Sequence, residues 1–333
     1  MKYVTLGSQG MIVSAQGLGC MGMSTTYGPS DEQESLSTLA RALDLGVTLF
    51  DTAEVYGPFV NESLLGKAFA GRRSEVVIST KVGFRFTDEG RLAMVDGKPV
   101  VCGDPVHVRS AVEGSLRRLR TDCIDLVYLH RIDPQTPIEE TMGLLGRLVT
   151  EGKIRYVGVS EASAATIRKA HAVHPLTAVQ SEYSLFERGV EANGVLQTVR
   201  ELDIGFVSYS PLGRGFLGGK LTSLDGLAPD DFRRQDPRFD GPNLHANLKL
   251  VERVTRIAGS RGVKPSQIAI AWTMSRATVP IPGTRRIAYL EENVASSSFD
   301  LTHEELQALD EAAPTGAALG ERYSAGMLAT IGH

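Results

Sequence analysis

The stretch Gly46-Val47-Thr48-Leu49-Phe50-Asp51-Thr52-Ala53-Glu54-Val55-Tyr56-Gly57 decides the fold: a short, β-inclined apolar run drives straight into a carboxylate. The pattern recurs. Val76-Val77-Ile78-Ser79-Thr80 leads into Lys81, and Ile124-Asp125-Leu126-Val127-Tyr128-Leu129 leads into His130. Further runs are Tyr156–Val159, Ala178–Gln180, Phe206–Tyr209 and Val279–Pro282, with a weaker one at Ala15–Gly19. Most are apolar on both faces, as strands are when helices cover a parallel sheet on both sides.

Between these runs lie helical patterns over 31–45, 107–120, 138–151, 163–173, 190–202, 246–261, 266–276 and 287–297. The first opens with Ser30 as N-cap and closes at Gly46. The third follows Pro137, a favoured first-turn residue. Eight strands alternating with helices predict an α/β fold, a closed (β/α)8 TIM barrel forming one domain over residues 1–333. An open doubly wound sheet is the rival reading of the same strand-helix alternation. Tyr3–Leu6 and Met11–Val13 flank Gly7-Ser8-Gln9-Gly10 and predict a β-hairpin before the barrel. Two long connections, 83–104 and 213–244, leave the C-terminal ends of strands, the face on which barrel active sites are built.

Composition narrows the function. The chain has 333 residues, 42% of them hydrophobic, so it can bury a large core. A net charge of −4 offers no basic face for nucleic acid, and an anionic ligand must be held by a few local cations. Cys20, Cys102 and Cys123 are odd in number and widely spaced, which suits reduced thiols. No His or Cys cluster has metal-ligand spacing. The N-terminus has no basic region followed by an apolar run, and no stretch reaches the roughly 18 apolar residues of a membrane span. A cytoplasmic protein without a metal or a membrane segment is expected; oligomeric state is not readable.

Asp51, Tyr56, Lys81 and His130 leave strands two, three and four on one rim. Neighbouring strands lie about 4.8 Å apart, so the four groups can meet at one site. A buried lysine cation beside a tyrosine favours phenolate and lowers the phenol's pKa. Asp51 would hold Lys81 charged, His130 would donate to a carbonyl oxygen, and Tyr56 would deliver a proton as hydride arrives at carbon. Taken singly, each residue has a structural explanation: a turn aspartate, a solvated lysine, a satisfied histidine, a packed tyrosine. Their joint placement carries the chemistry. After strands seven and eight, Tyr209-Ser210-Pro211-Leu212-Gly213-Arg214-Gly215 (with Lys220 beyond) and Pro282-Gly283-Thr284-Arg285-Arg286 combine small residues, backbone amides and cations, which suits phosphate.

Gly46–Ala53 with Asn61-Glu62-Ser63-Leu64-Leu65-Gly66, and Leu129-His130-Arg131 followed by Pro137-Ile138-Glu139-Glu140-Thr141, resemble the signature of the aldo-keto reductase superfamily. The matches run from about residue 4 to 323. Tyr56-Gly57-Pro58-Phe59 and Gly320-Glu321-Arg322-Tyr323 are similar to the bacterial and plant branch that includes perakine reductase and auxin-induced-like proteins. The resemblance implies NADPH-dependent reduction of an aldehyde or ketone, with Asp51, Tyr56, Lys81 and His130 as the catalytic tetrad. It implies that residues 209–215 lie along the cofactor diphosphate and that Gly283, Thr284, Arg285, Glu292 and Asn293 grip the adenosine end. Ser160, Glu161 and Gln180 would hold the nicotinamide amide, Tyr209 would stack on its ring, and Gly22 and Met23 would supply backbone contacts. Three positions depart from the commonest pattern. Glu161 replaces an Asn, Gly283-Thr284 replaces a Lys-Ser pair, and Tyr289 replaces an Arg; Arg285 or Arg286 is left to pair with the 2′-phosphate. Tyr27, Phe84 and Arg131 are expected at the substrate pocket. Two other readings compete. A non-catalytic, redox-sensing regulatory subunit of the channel β-subunit type shares fold and tetrad, but usually has an N-terminal extension, whereas the hairpin here starts at Tyr3. A Schiff-base aldolase using Lys81 would need that lysine neutral, which Asp51 opposes.

Overall fold

The computed structural model describes residues 1–24 and 26–333. Its main sheet has eight parallel strands in sequential order: Leu18–Gly19, Leu49–Asp51, Val77–Val82, Ile124–Leu129, Ile154–Ser160, Ala178–Glu182, Gly205–Tyr209 and Val279–Pro280. The sheet closes on itself. Gly19 bridges Gly283 in parallel, and the Gly17 amide donates to the Pro280 carbonyl at 2.9 Å. The fold is the (β/α)8 barrel that the alternating pattern predicts.

Two apolar layers hold it together. One lies between the strands and the surrounding helices, where Val47, Phe50, Ile78, Val127 and Val159 meet Leu39, Leu65, Val112, Leu145 and Ile167. The other fills the barrel: Leu49, Leu126, Tyr128, Ala178, Val207, Val279 and Ile281 pack inside, together with Leu6, Met11 and Val13 from the N-terminal hairpin. That hairpin, Tyr3–Leu6 with Met11–Ser14, pairs antiparallel with Tyr3 opposite Ser14. The Ser8 amide donates to the Asp203 carbonyl, which ties the hairpin turn to the loop before strand seven. The hairpin therefore covers the N-terminal end of the barrel.

Several boundaries differ from the sequence expectation, each for a local reason. The N-cap of the first helix is Asp31, not Ser30, because the Asp31 carboxylate accepts from the Glu34 amide at 2.7 Å. Pro137 is the N-cap of helix Ile138–Thr150 rather than a residue of its first turn. The pattern over 190–202 splits into Gly189–Ala192 and Val195–Glu201 around Gly194, which takes a left-handed φ of 84°. Helices Val60–Ala68 and His303–Ala312 lie outside the predicted set. The first has a weak amphipathic signal because it buries Asn61 and Glu62 alongside Leu64 and Leu65. The connection 83–104 folds back through the small ladder of Met94–Val95 with Lys98–Pro99, and 213–244 is shaped by 3-10 turns. No helix among the described residues is long and apolar enough to cross a membrane.

Inside the barrel Gly158 lies beneath the Tyr128 ring. A Cβ there would meet that ring and come within 2.6 Å of the Ala178 carbonyl oxygen. Gly158→Ala is expected to lower unfolding free energy by about 1–3 kcal/mol through overpacking. Urea denaturation of the two proteins measures it; equal midpoints would refute the close approach.

Candidate active site

Asp51 ends strand two, and Lys81 sits one residue from the end of strand three. His130 follows strand four, its amide donating to the Val82 carbonyl at 2.8 Å. Tyr56 comes from the turn after Asp51, in which the Tyr56 amide donates to the Ala53 carbonyl and the Phe59 amide to the Glu54 carbonyl. The polar motif behind this turn holds it in place. Asn61 donates to the Cys20 carbonyl and to Ser24 Oγ, both at 2.8 Å, and accepts from Thr52 Oγ1. Fully buried Glu62 accepts from Thr80 Oγ1 and Arg118 Nε, each at 2.6 Å. The Asn61-Glu62 pair thus pins the exits of strands one, two and three together.

The four groups converge. Lys81 Nζ donates to Asp51 Oδ1 at 2.5 Å, to the Thr52 carbonyl at 2.9 Å and to the Tyr56 hydroxyl oxygen at 3.1 Å. An ammonium has three N–H donors, and all three are used. Asp51 also accepts from Ser79 Oγ at 2.8 Å and Gln180 Nε2 at 2.9 Å. The Tyr56 and His130 rings meet edge-on, 6.1 Å between centroids, and Phe84 also packs edge-on against the imidazole at 5.0 Å.

Burial pushes the Lys81 ammonium toward neutrality, but Asp51 and Tyr56 more than offset this and the lysine stays cationic. The expectation for Tyr56 needs correcting. Lys81 does pull its pKa down, yet burial outweighs that pull and the net shift is upward, so the hydroxyl is protonated at neutral pH. Burial, then Arg131 and Lys81, hold His130 well below the usual histidine range, so the ring is neutral. Its Nδ1 is buried without a partner, which leaves Nε2 as the nitrogen able to donate outward.

A cavity of about 540 Å³ runs from these groups across the C-terminal face. It is lined by Gly22, Tyr27, Asp51, Tyr56, Lys81, Phe84, His130, Arg131, Ser160, Gln180, Tyr209, Ser210, Pro211, Leu212, Arg214, Gly215, Gly283, Thr284, Arg285 and Tyr289, all expected from sequence. Five expected residues are not on this wall. Met23 is in the core, Lys220 is exposed with its ammonium over the Tyr289 ring, and Asn293 is buried in its helix. Glu292 accepts from Ser266, and the Glu161 carboxylate is held by Arg322 and by the Glu182 amide. Gln180 lines the cavity, but its amide nitrogen is directed to Asp51.

The wall carries groups that could hold a dinucleotide. Ser210, Gly213, Arg214 and Gly215 take left-handed φ of 51°, 54°, 59° and 90°, curling the segment into a concave turn suited to a diphosphate. At the far end Arg285 and Arg286 precede helix Ile287–Val294. Arg285 donates only to the Gly22 and Gly28 carbonyls and has no carboxylate within 4.0 Å among the described residues, so it is free to meet a phosphate.

Residues not expected from sequence complete the site. The tail lies over the cavity: the Tyr323 hydroxyl bonds that of Tyr209 at 2.8 Å, and the Arg322 carbonyl accepts from Arg214 at 2.6 Å. Phe232 and Arg233 join the wall from the 213–244 connection. No periodicity marks them, because irregular segments place them. Glu54, two residues before Tyr56, accepts from the Gly83 and Phe84 amides at 2.9 and 3.3 Å.

A family model described as the aldo/keto reductase family matches residues 16–314. Among solved structures, the chain is similar to the glycerol dehydrogenase AKR11B4 from Gluconobacter oxydans: 30% identity, 93% of this chain and 94% of that one covered, TM-score 0.84. It is also similar to the thermostable aldo-keto reductase Tm1743 in complex with the inhibitor epalrestat: 28% identity, 94% and 100% covered, TM-score 0.74.

Burial and the neighbouring Glu62 push the Glu54 carboxyl up to about 8, against an ordinary value of 4.5. The folded chain then holds a proton that the unfolded chain releases, so this group takes stability away as pH rises from 4.5 towards 8. Glu54→Gln is expected to gain on the wild type steadily over that window and to hold its advantage above it. Denaturation midpoints at pH 5.5, 7 and 9 measure this, and a constant difference at all three would reject it.

Proposed function

The chain belongs to the aldo/keto reductase family, and from that premise we propose that it reduces an aldehyde or ketone to the alcohol with NADPH. One observation carries this reading: Lys81 donates to the Tyr56 oxygen. With its oxygen accepting from the lysine, the phenol must direct its own proton elsewhere, into the cavity that it lines.

A nicotinamide bound in this cavity supplies the hydride. The remaining work falls to the chain's own residues. His130, kept neutral by burial, donates from Nε2 to the substrate carbonyl oxygen and polarises it. Tyr56 donates to the same oxygen and transfers its proton as negative charge develops there. Lys81 stabilises the phenolate left behind, and Asp51, fixed by Ser79 and Gln180, keeps Lys81 charged and aimed. The apolar part of the wall excludes water, which strengthens each of these interactions.

Ser160, Gln180 and Tyr209 would hold the nicotinamide end, residues 210–215 the diphosphate, and Thr284 and Arg285 the 2′-phosphate, with Tyr289 beside them. Arg285 without a carboxylate partner supports a preference for NADPH over NADH. The three free cysteines suit a reducing compartment, and we place the enzyme in the cytoplasm. Gln180, bonded to Asp51, would link the cofactor's carboxamide to the acid-base group.

Tyr56→Phe is expected to lower kcat by about 10²–10⁴-fold, the usual contribution of a positioned general acid, while NADPH binding followed by fluorescence stays measurable. Near-normal turnover against a panel of aldehydes and ketones would overturn the assignment. Arg285→Ala should raise the dissociation constant for NADPH about tenfold or more, since it removes a charge-assisted bond to phosphate, and leave that for NADH much less affected. An equal rise for both would move the 2′-phosphate elsewhere.

A further inference from the structure

We propose that Arg131 receives a carboxylate on the substrate, so that the enzyme acts on apolar, chiefly aryl, carbonyl compounds that carry an acid group. This rests on the carbonyl reduction proposed above and narrows its substrate class.

Three arginines are buried among the described residues: Arg131, Arg214 and Arg238. Arg214 is paired with Asp236 and Glu182, and Arg238 with Glu187. Arg131 has no carboxylate within 4.0 Å among the described residues, although it is only 5% exposed. Its Nη1 donates to two neutral oxygens, the His130 carbonyl at 2.7 Å and Ser160 Oγ at 3.4 Å. Its Nε is buried without any partner, and Nη2 donates to none of the described residues. Glu161, whose carboxyl feels the Arg131 charge, is already held by Arg322. A buried cation left in this state is costly unless an anion joins it.

The position of Arg131 identifies that anion as part of the substrate. It adjoins His130 in the chain and lines the same cavity as Tyr56. Of its two unused nitrogens Nε is sealed from the cavity and Nη2 is not, so Nη2 is the charged donor that a substrate carboxylate meets. The wall of the same cavity also carries Tyr27, Phe84, Leu92, Phe232 and Met327, which suit an aromatic or alkyl body. The acid is a spectator in the reaction. Hydride from NADPH adds to the carbonyl carbon, the Tyr56 proton goes to the carbonyl oxygen, and NADP+ and the alcohol are the products.

The test compares 4-formylbenzoate with methyl 4-formylbenzoate on the full chain. It uses both NADPH turnover and calorimetric binding with NADP+ present. The acid is expected to be favoured over the ester by about tenfold or more in kcat/KM and in binding. In Arg131→Met that ratio should fall about tenfold or more, and Arg131→Lys should keep part of it. Equal values for acid and ester in the wild type would overturn the proposal, and this arm holds even where a variant fails to fold. An unchanged ratio in Arg131→Met, with weaker NADPH binding, would assign the arginine to the cofactor and also overturn it. If neither aldehyde is reduced yet the acid binds tighter through Arg131, the carboxylate site stands and the reductase reading falls.

Discussion

The site depends on one buried ammonium whose three protons are all committed. Lys81 is 1% exposed and is held by a carboxylate, a carbonyl and a phenol oxygen. A charge in that position is tolerable only with an opposite charge and full hydrogen bonding. Asp51 supplies the charge, and the barrel supplies Asp51: Ser79 beside it in the sheet and Gln180 across the barrel mouth hold its second oxygen. Because the third lysine proton points at Tyr56, the same constraint orients the phenol. Removing any one of these groups would leave another buried without its partner.

Parallel strand order makes the arrangement possible. In a closed parallel barrel every strand ends on the same face, so short apolar runs that each end in one polar residue bring those residues together. The N-terminal hairpin fills the opposite end with Leu6, Met11 and Val13, and the long connections and the tail build walls above the mouth. The outcome is a largely apolar chamber with the acid-base groups at the strand tips and Arg214, Arg233, Arg285 and Arg286 on the connecting segments, and low polarity makes each electrostatic contact count for more.

The barrel was legible in the sequence because its signal is local: four to six apolar residues, a polar tip, a helical pattern, repeated. Asp51, Lys81 and His130 were legible for the same reason, each at the end of such a run, and Tyr56 through its closeness to Asp51. What escaped has a common cause. Helix Val60–Ala68 spends its buried face on Asn61 and Glu62, so it lacks a clean apolar stripe. The grip of Arg322 on Glu161 joins residues 161 positions apart, and no local pattern encodes it. The direction of the Tyr56 shift could not be read either, since it depends on how far burial outweighs a neighbouring charge, and burial belongs to the folded molecule.

The division of labour along the chain has a practical side. The acid-base groups all come from residues 51–130, whereas the segments suited to a dinucleotide come, Gly22 aside, from 160–289, and the bond between Gln180 and Asp51 is a direct tie between the two sets. The connection 83–104 contributes Phe84, Leu92 and Pro99 to the chamber and carries its own small antiparallel ladder. An engineer could therefore replace the part of this insert beyond Phe84, which itself packs on His130, and retune selectivity, with the acid-base chemistry and the dinucleotide grip inherited intact.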